Sequence, residues 1–351
     1  MKDLHLEVCY QLLIFLIYFD KISKMKSIHW GIVGLGNIAH KFASDLALVP
    51  NCILQAVASS DITRALEFSK KFQSKNYYSN YTDLFTDPKV DVVYIASLHP
   101  LHKALSIEAI KQGKAVICEK PLGMNNEEVM QIIKTAREKN VFLMEALWTR
   151  FNPAFEQVNN WIKNDKIGPL RYINSTFSFN ALDMGVDSRV FNPKKGGGSL
   201  LDIGIYPLFL AYHFLGFPKD IKASSVLTKE KIDEQLGFIF SYDKAQAMLY
   251  SSFSHNEDMR ATICGEKGEI YMESKWHNTS NVKLVNDKRE IKKSFNFLGA
   301  GYTYEIDEVN TCIRKNKLES TKWSWKNSKE ISILMDYIRK KVGVSYPTDK
   351  K

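Results

Sequence analysis

Cysteine is scarce in this chain, and its scarcity excludes two classes of protein. The five present, Cys9, Cys52, Cys118, Cys264 and Cys312, are odd in number, and no pair has metal-ligand spacing. Three of them sit in apolar, core-like runs. Neither a disulfide framework nor a zinc site is implied, and a reducing, cytoplasmic setting is expected. Long apolar runs are missing too. Leu12–Phe19 is eight residues long, against the ~20 that cross a bilayer, and nothing else approaches that length. The Asp20-Lys21-Ile22-Ser23-Lys24 after it offers no small-residue cleavage site. Residues 1–24 therefore read as an extension from an upstream start, with Met25 the expected true start. Neither secretion nor a membrane partner is implied.

An acidic excess is absent as well. Lys and Arg number 48 against 39 Asp and Glu, a formal charge of +9. The basic clusters, such as Lys70-Lys71 and Arg339-Lys340-Lys341, close helical patterns, where cations suit the helix dipole. The other lysines are dispersed. The charge therefore points to a phosphate-bearing cofactor rather than to nucleic acid. Repeats and low-complexity segments are also lacking, and 351 residues leave room for two domains of roughly 100–200 residues each.

What is present is an alternation of strand-like and helix-like segments. Ile28–Val33, Ile53–Ala58, Asp91–Ala96, Ala115–Cys118 and Val141–Leu147 read as strands. Between them, the run to Val49, Asp61–Phe72, Leu101–Gln112 and Asn125–Lys139 read as helices. Such alternation predicts a doubly wound parallel sheet with helices on both faces, an α/β domain of the Rossmann type over 25–148. From 149 to 351 the pattern changes. Tyr172–Phe179, Leu236–Tyr242, Ala245–Phe253, Arg260–Cys264 and Gly268–Glu273 alternate apolar and polar residues across short loops. That predicts an α+β domain with a large, mostly antiparallel open sheet. At this length its second face is expected to bury against another copy, in a homodimer.

Gly34-Leu35-Gly36-Asn37-Ile38-Ala39 joins the first strand to the first helix in a G-x-G-x-x-A pattern. The first glycine permits a tight turn, the second lets backbone approach a pyrophosphate, and the small third residue lets helix pack on strand. The helix N-terminus then supplies N–H groups to the phosphates. After the second strand come Ser59 and Ser60, then Asp61, with Arg64 one turn on. Two hydroxyls and a guanidinium suit the 2′-phosphate of NADP over NAD. The alternative is that Ser60 and Asp61 simply cap the helix.

A second signal is Lys120, which ends the apolar run from Ala115 and precedes Pro121. Proline keeps residue 120 extended, and ligands of parallel sheets bind at this strand edge. The third is Gly196-Gly197-Gly198-Ser199-Leu200-Leu201-Asp202-Ile203-Gly204-Ile205-Tyr206-Pro207. Three glycines let backbone pass close to a ligand or another chain. Asp202 and Tyr206 are four apart and share a helical face, while Pro207 implies a kink or a late helix start. A helix cap and a satisfied core tyrosine are the alternatives for that pair.

Together the glycine turn, Glu119-Lys120-Pro121 and the Gly-Gly-Gly…Asp-x-Gly-x-Tyr block resemble the glucose–fructose oxidoreductase / inositol dehydrogenase / MocA family. His99-Pro100-Leu101-His102-Lys103, Met144 to Phe151, Gly299-Ala300-Gly301 and the ending Val342 to Pro347 resemble its branch of dimeric dihydrodiol and NADP-dependent aldose dehydrogenases. The likeness runs from about residue 28 to the C-terminus. It implies an NAD(P)-dependent oxidoreductase moving hydride between nicotinamide and a hydroxyl or anomeric carbon of an aldose, polyol or cyclic trans-diol. It implies that Lys120 touches the reacting oxygen, Asp202 supports it, and Tyr206 is the general acid/base. On this reading the lysine cation lowers the pKa of the tyrosine toward working pH. By the same resemblance Glu119, His99 and His102 lie on the nicotinamide side. Trp148 and Arg150 border the substrate pocket or subunit interface, with Phe177 and Phe179 lining the pocket. One departure is that NADP-users of the family often carry arginine where this chain has Ser60. The same fold also resembles that of NAD-dependent glycosidases, which release free sugar without net cofactor change. A non-catalytic sugar or cofactor sensor on this scaffold would be expected to have lost the lysine or the tyrosine.

Overall fold

A computed structural model describes residues 26–349. The extension 1–24, with Cys9, and the expected start at Met25 lie outside the described residues. The first sheet is built from β1 (Ile28–Val33), β2 (Cys52–Ala58), β3 (Asn76–Tyr78), β4 (Val92–Ile95), β5 (Ala115–Glu119) and β6 (Leu143–Ala146). All neighbours are parallel, in the order 3-2-1-4-5-6. Its crossovers carry α1 (Asn37–Leu46), α2 (Ile62–Phe72), α3 (Tyr81–Thr86), α4 (His102–Lys111) and α5 (Asn126–Lys139). Strands β4, β5 and β6 are buried along their whole length, because helices cover both faces. The order reverses between β1 and β4, which opens a crevice beyond their C-terminal ends.

The structure adds β3 and α3 to the expected series, so Asp91–Ala96 holds the fourth strand rather than the third. Asn76–Tyr78 is three residues and Tyr81–Thr86 six, too short for either periodicity to register. Polar caps set the helix starts. The Asp61 carboxylate accepts the Thr63 and Arg64 N–H groups, and the Asn125 side chain accepts that of Glu128.

Beyond α6 (Pro153–Lys163) lies an eight-stranded sheet. Its members are β7 (Leu170–Ser178), β8 (Asp220–Leu227), β9 (Asp233–Ser241), β10 (Gln246–Ser252), β11 (Ala261–Gly265), β12 (Gly268–Met272), β13 (Asn281–Asn286) and β14 (Arg289–Ser294). They stand in the order 14-13-12-11-7-10-9-8, and only β7 and β10 pair in parallel. Strand β8 at one edge, and β13 and β14 at the other end of the sheet, were not expected from the sequence. β14 is Arg-Glu-Ile-Lys-Lys-Ser, charged on both faces, and carries no apolar alternation. The helices α7 (Ile205–Leu215), α8 (Thr303–Arg314) and α9 (Trp325–Lys341) complete the chain. α7 packs across β7 and β10, and α9 packs on α7 and β8. The opposite sheet face keeps Val226 and Met248 exposed.

The glycine-rich block becomes a wide π turn, Leu200–Gly204, running straight into α7. That turn resolves Pro207, which falls in the first turn of the α-helix, where a missing N–H costs nothing. Contrary to expectation, one helical run, Pro193–Leu215, is long and apolar enough to cross a membrane. It is 83 % buried inside the protein, as a core helix is. The three glycines approach the chain's own groups. A Cβ on Gly198 would sit 2.5 Å from Asp233 Oδ1 and 2.8 Å from the Tyr346 hydroxyl. Asp233 in turn holds the start of the π turn, accepting the Leu200 N–H at 2.6 Å and the Ser199 hydroxyl at 2.8 Å.

Burial lifts the Asp233 carboxyl from 3.8 to about 6, even against those hydrogen bonds. It therefore binds its proton more tightly in the folded than in the unfolded chain. Its contribution to stability is fully present below pH 3.8 and is lost as pH rises through about 6. In Asp233→Asn that slope is expected to vanish. The variant's stability relative to wild type, from urea titrations, should climb between about pH 4 and 6 and then level. A pH-independent difference would exclude the assignment.

Candidate active site

A cleft of about 650 Å³ lies between the C-terminal edge of the parallel sheet and the π turn and aromatic residues of the second unit. One end is formed by Gly34, Leu35, Gly36, Asn37 and Ile38. Gly34 has φ +84°, and a Cβ there would meet Ser97 N at 2.6 Å, so β1 and β4 close together only over a glycine. Gly36 stands as N-cap of α1 with no side-chain cap, and nothing lies within 4 Å of where its Cβ would be. An uncapped helix start facing a cleft over bare backbone fits a dinucleotide pyrophosphate.

The ribose-proximal residues divide. Arg64 lines the cleft; Ser59 and Ser60 do not. Ser59 is buried, and its hydroxyl accepts the Asp61 N–H at 3.1 Å. Asp61 is occupied as the helix cap, so the capping alternative holds for Asp61 while Ser60 stays exposed.

At the other end Lys120 leaves the tip of β5 and reaches the π turn. Its ammonium donates to the Asp202 carbonyl at 2.5 Å and to Asp202 Oδ1 at 3.1 Å. Arg189, from the loop before the glycines, donates to Asp202 Oδ2 at 2.9 Å. Burial alone would raise the Asp202 carboxyl, but the two cations outweigh it and hold the group well below the usual carboxylate range. Glu119, one residue before Lys120, accepts the Tyr94 hydroxyl at 2.5 Å, and burial raises its pKa.

Tyr206 lines the same wall, with the Lys120 ammonium 5.4 Å above its ring. Its hydroxyl accepts the indole N–H of Trp148 at 2.9 Å. The expected lowering of its pKa is corrected here. Burial first, then the Glu119 carboxyl, push the phenol well above its ordinary value; the Trp148 N–H offsets only part of this. The lysine lies over the ring rather than on the hydroxyl, and two of its three N–H donors are engaged by Asp202.

Phe177 and Phe179 line the cleft beside Trp148. Arg150 does not. It turns into the protein, with its guanidinium on Glu156 at 2.7 Å and on the Lys322 carbonyl at 3.1 Å. His99 lines the cleft, its Nδ1 3.0 Å from the Gly196 carbonyl. Burial, then Lys120, push its pKa down to about 3, so the ring is neutral. His102 lies beneath the cleft, its two nitrogens on the Pro121 and Ser97 carbonyls at 2.8 and 3.1 Å. It ties the loop after Lys120 to the end of β4. Residues with no motif complete the site. Arg189, Lys195 and Tyr302 line it, and His277 stacks on Phe177 with ring centroids 4.2 Å apart. Tyr302 alone had a local marker, the Gly299-Ala300-Gly301 before it.

The arrangement can hold a dinucleotide along the glycine turn and present a fixed cation and a phenol to an oxygen at its far end. Among the described residues no cluster of His, Cys, Asp or Glu could hold a metal. Residues 28–147 match the GFO_IDH_MocA family, an oxidoreductase family with an NAD-binding Rossmann fold, and residues 155–271 match the GFO/IDH/MocA C-terminal domain. A trans-1,2-dihydrobenzene-1,2-diol dehydrogenase of Mus musculus is 35 % identical over 337 residues, 93 % of this chain and 100 % of the relative. Two solved structures share the fold. A 3-ketoreductase of Actinomadura kijaniata, KijD10, in complex with NADP and TDP-benzene, aligns with a TM-score of 0.81 at 22 % identity, covering 92 % of this chain and 99 % of its own. A levoglucosan dehydrogenase in complex with NADH and levoglucosan aligns at 0.80 and 19 %, covering 91 % and 98 %.

The two motif glycines are expected to fail differently. Gly36→Ala should fold with wild-type melting temperature yet weaken dinucleotide binding, since its methyl would enter open cleft. Gly34→Ala should lower the melting temperature itself, because its methyl would collide with the backbone of residues 96 and 97. Calorimetry with cofactor titration separates the two; equal melting losses would refute the reading.

Proposed function

This chain belongs to the GFO/IDH/MocA family as an NAD(P)-dependent dehydrogenase of CH–OH groups, and from that premise we propose its substrate class and the roles of its residues. The substrate is a ring-borne vicinal diol: a cyclic trans-diol, or the equivalent hydroxyls of an aldose or cyclic polyol. The aromatic wall of Trp148, Phe177, Phe179 and Tyr302 suits a ring face, and the curated relatives are named for a cyclic trans-diol.

The observation that carries this reading is Lys120 held on Asp202 beside Tyr206 at the strand edge. Bound NAD(P) supplies the hydride acceptor and donor. Asp202, fixed as a carboxylate by two cations, orients the Lys120 ammonium toward the reacting oxygen. Lys120 stabilises negative charge developing there. Tyr206 keeps its proton in the free chain and so stands ready as the acid for carbonyl reduction. In the oxidative direction the phenol must first yield that proton, and the Trp148 N–H on its oxygen steadies the phenolate.

NADP is the preferred cofactor on this reading. At the end of β2 Asp61 spends one carboxylate oxygen on the helix cap and holds the other 4.0 Å from the guanidinium of Arg64, and Arg64 lines the cleft. The open face of the second sheet, with Val226 53 % and Met248 46 % exposed, is proposed as the surface of a homodimer.

Tyr206→Phe and Lys120→Met are expected to lose at least about a hundredfold in turnover on trans-diols and aldoses. In the wild type, kcat/KM for oxidation should rise with pH and not level below about pH 9, because the phenol titrates high. Wild-type turnover in both variants would overturn the assignment. For the assembly, sedimentation should give twice the 40.3 kDa chain mass, and Met248→Glu should return it to one chain.

A further inference from the structure

The Gly299-Ala300-Gly301 loop plays no part in the chemistry above, yet it joins both ends of the cleft. It rests on Asp45, in the last turn of α1, the helix whose first turn forms the dinucleotide end. Asp45 is only 2 % exposed. Its carboxylate accepts the Ala300 N–H at 2.8 and 3.0 Å through its two oxygens, and the Tyr302 N–H at 2.8 Å. Gly299 has φ +69°, and a Cβ on it would fall 2.2 Å from Asp45 Oδ1. Gly301 has φ +105°, and its Cβ would fall 2.9 Å from Trp148 Cζ3. The loop is thus moulded to Asp45 at one glycine and to the indole at the other.

Immediately after the loop the chain enters the cleft wall. Tyr302 stacks on Trp148, centroids 5.0 Å apart at 20°. Phe42, one turn before Asp45 on α1, meets Tyr302 edge-on at 6.2 Å. Trp148 then donates its N–H to Tyr206. A buried carboxylate is an expensive way to fill space, and an apolar residue would pack as well or better. Two N–H groups on one carboxylate, that of Ala300 shared between both oxygens and that of Tyr302 on one, do something packing does not: they fix the direction of the loop.

We propose that Asp45 is a positioning residue for the substrate pocket. It sets Tyr302, through Tyr302 the plane of Trp148, and through the Trp148 N–H the hydroxyl of Tyr206. This rests on the reading of Tyr206 as the proton-transfer group, though the Asp45–Tyr302–Trp148 part stands without it. The consequence is that α1 serves two sites: its N-terminus the dinucleotide, its C-terminal turn the substrate wall.

The test is Asp45→Asn beside Gly301→Ala, which presses on the indole with Asp45 intact. Both should raise the KM for the diol about ten- to a hundredfold, the cost of misplacing a reacting group, while the KM for NADP stays within about twofold. The Trp148 fluorescence of each protein, taken as the difference from its Trp148→Phe counterpart, should become more open to acrylamide quenching. Loss of melting temperature with diol KM and quenching unchanged would overturn the proposal, as would equal rises in both KM values. If Asp45→Asn does not fold, unchanged diol KM in Gly301→Ala overturns it. Should Tyr206→Phe retain turnover, the proton-transfer reading falls, and quenching still decides whether Asp45 holds the indole.

Discussion

An ammonium at the tip of one sheet, held on a carboxylate 82 residues further along the chain, is the contact around which this site is organised. Lys120 and Asp202 are both largely buried, with side chains 11 % and 9 % exposed. Removing two charges from water is costly, and their mutual attraction repays it only when hydrogen bonds complete the geometry. Here the geometry is complete. The ammonium takes the Asp202 carbonyl as well as its carboxylate, and Arg189 takes the remaining oxygen. A carboxylate facing two cations cannot pick up a proton in the working range, so the lysine always has its counter-charge. The pair keeps the cation fixed in the wall of the cleft.

That contact requires Asp202 and Tyr206 to lie on one wall although a proline comes immediately after them. The π turn Leu200–Gly204 provides the solution. It widens the helix ahead of α7, so Pro207 occupies a first turn where no N–H is missed, and the two side chains enter the same cleft. The turn's start is anchored from the second sheet by Asp233 and from the C-terminus by Tyr346, whose hydroxyl donates to the Gly197 carbonyl at 2.6 Å. Functional side chains four residues apart therefore depend on strands and termini far away in sequence.

This division explains which features were legible in the chain. The glycine turn, Lys120, Asp202 and Tyr206 were legible because each is marked locally, by glycine spacing, a proline directly after it or a polar residue in an apolar run. The parallel order was legible because buried strands and amphipathic helices alternate. Arg150 misled because neighbours in a short 3₁₀ turn, Trp148–Phe151, point to different sides. Its adjacency to Trp148 says nothing about the cleft. Arg189 sits in a loop and His277 in a three-residue 3₁₀ turn, both too short or irregular for any periodicity, and only the fold brings them in. The pKa of Tyr206 was misjudged for a similar reason. The lysine was visible in the sequence, but its commitment to Asp202 and the phenol's burial beside Glu119 are tertiary facts.

The inner site also shows a consistent treatment of charge. His99 and His277 are pushed down to about 3, chiefly by burial. Glu305 is fully buried with neither oxygen paired, and burial raises it well above the usual range; Glu119 moves the same way. Desolvation thus draws the histidines and the glutamates toward their neutral forms from opposite directions. The charges locked together at the centre of the site are Lys120, Asp202 and Arg189, while Lys195 and Arg64 also line the cleft. In a low-dielectric cleft each fixed charge acts strongly, and any additional ionised neighbour would dilute the field at the reacting oxygen. Neutral histidines leave that field to the lysine, and burial biases the glutamates in the same direction. Burial here does more than exclude water: it selects which groups are allowed to carry charge.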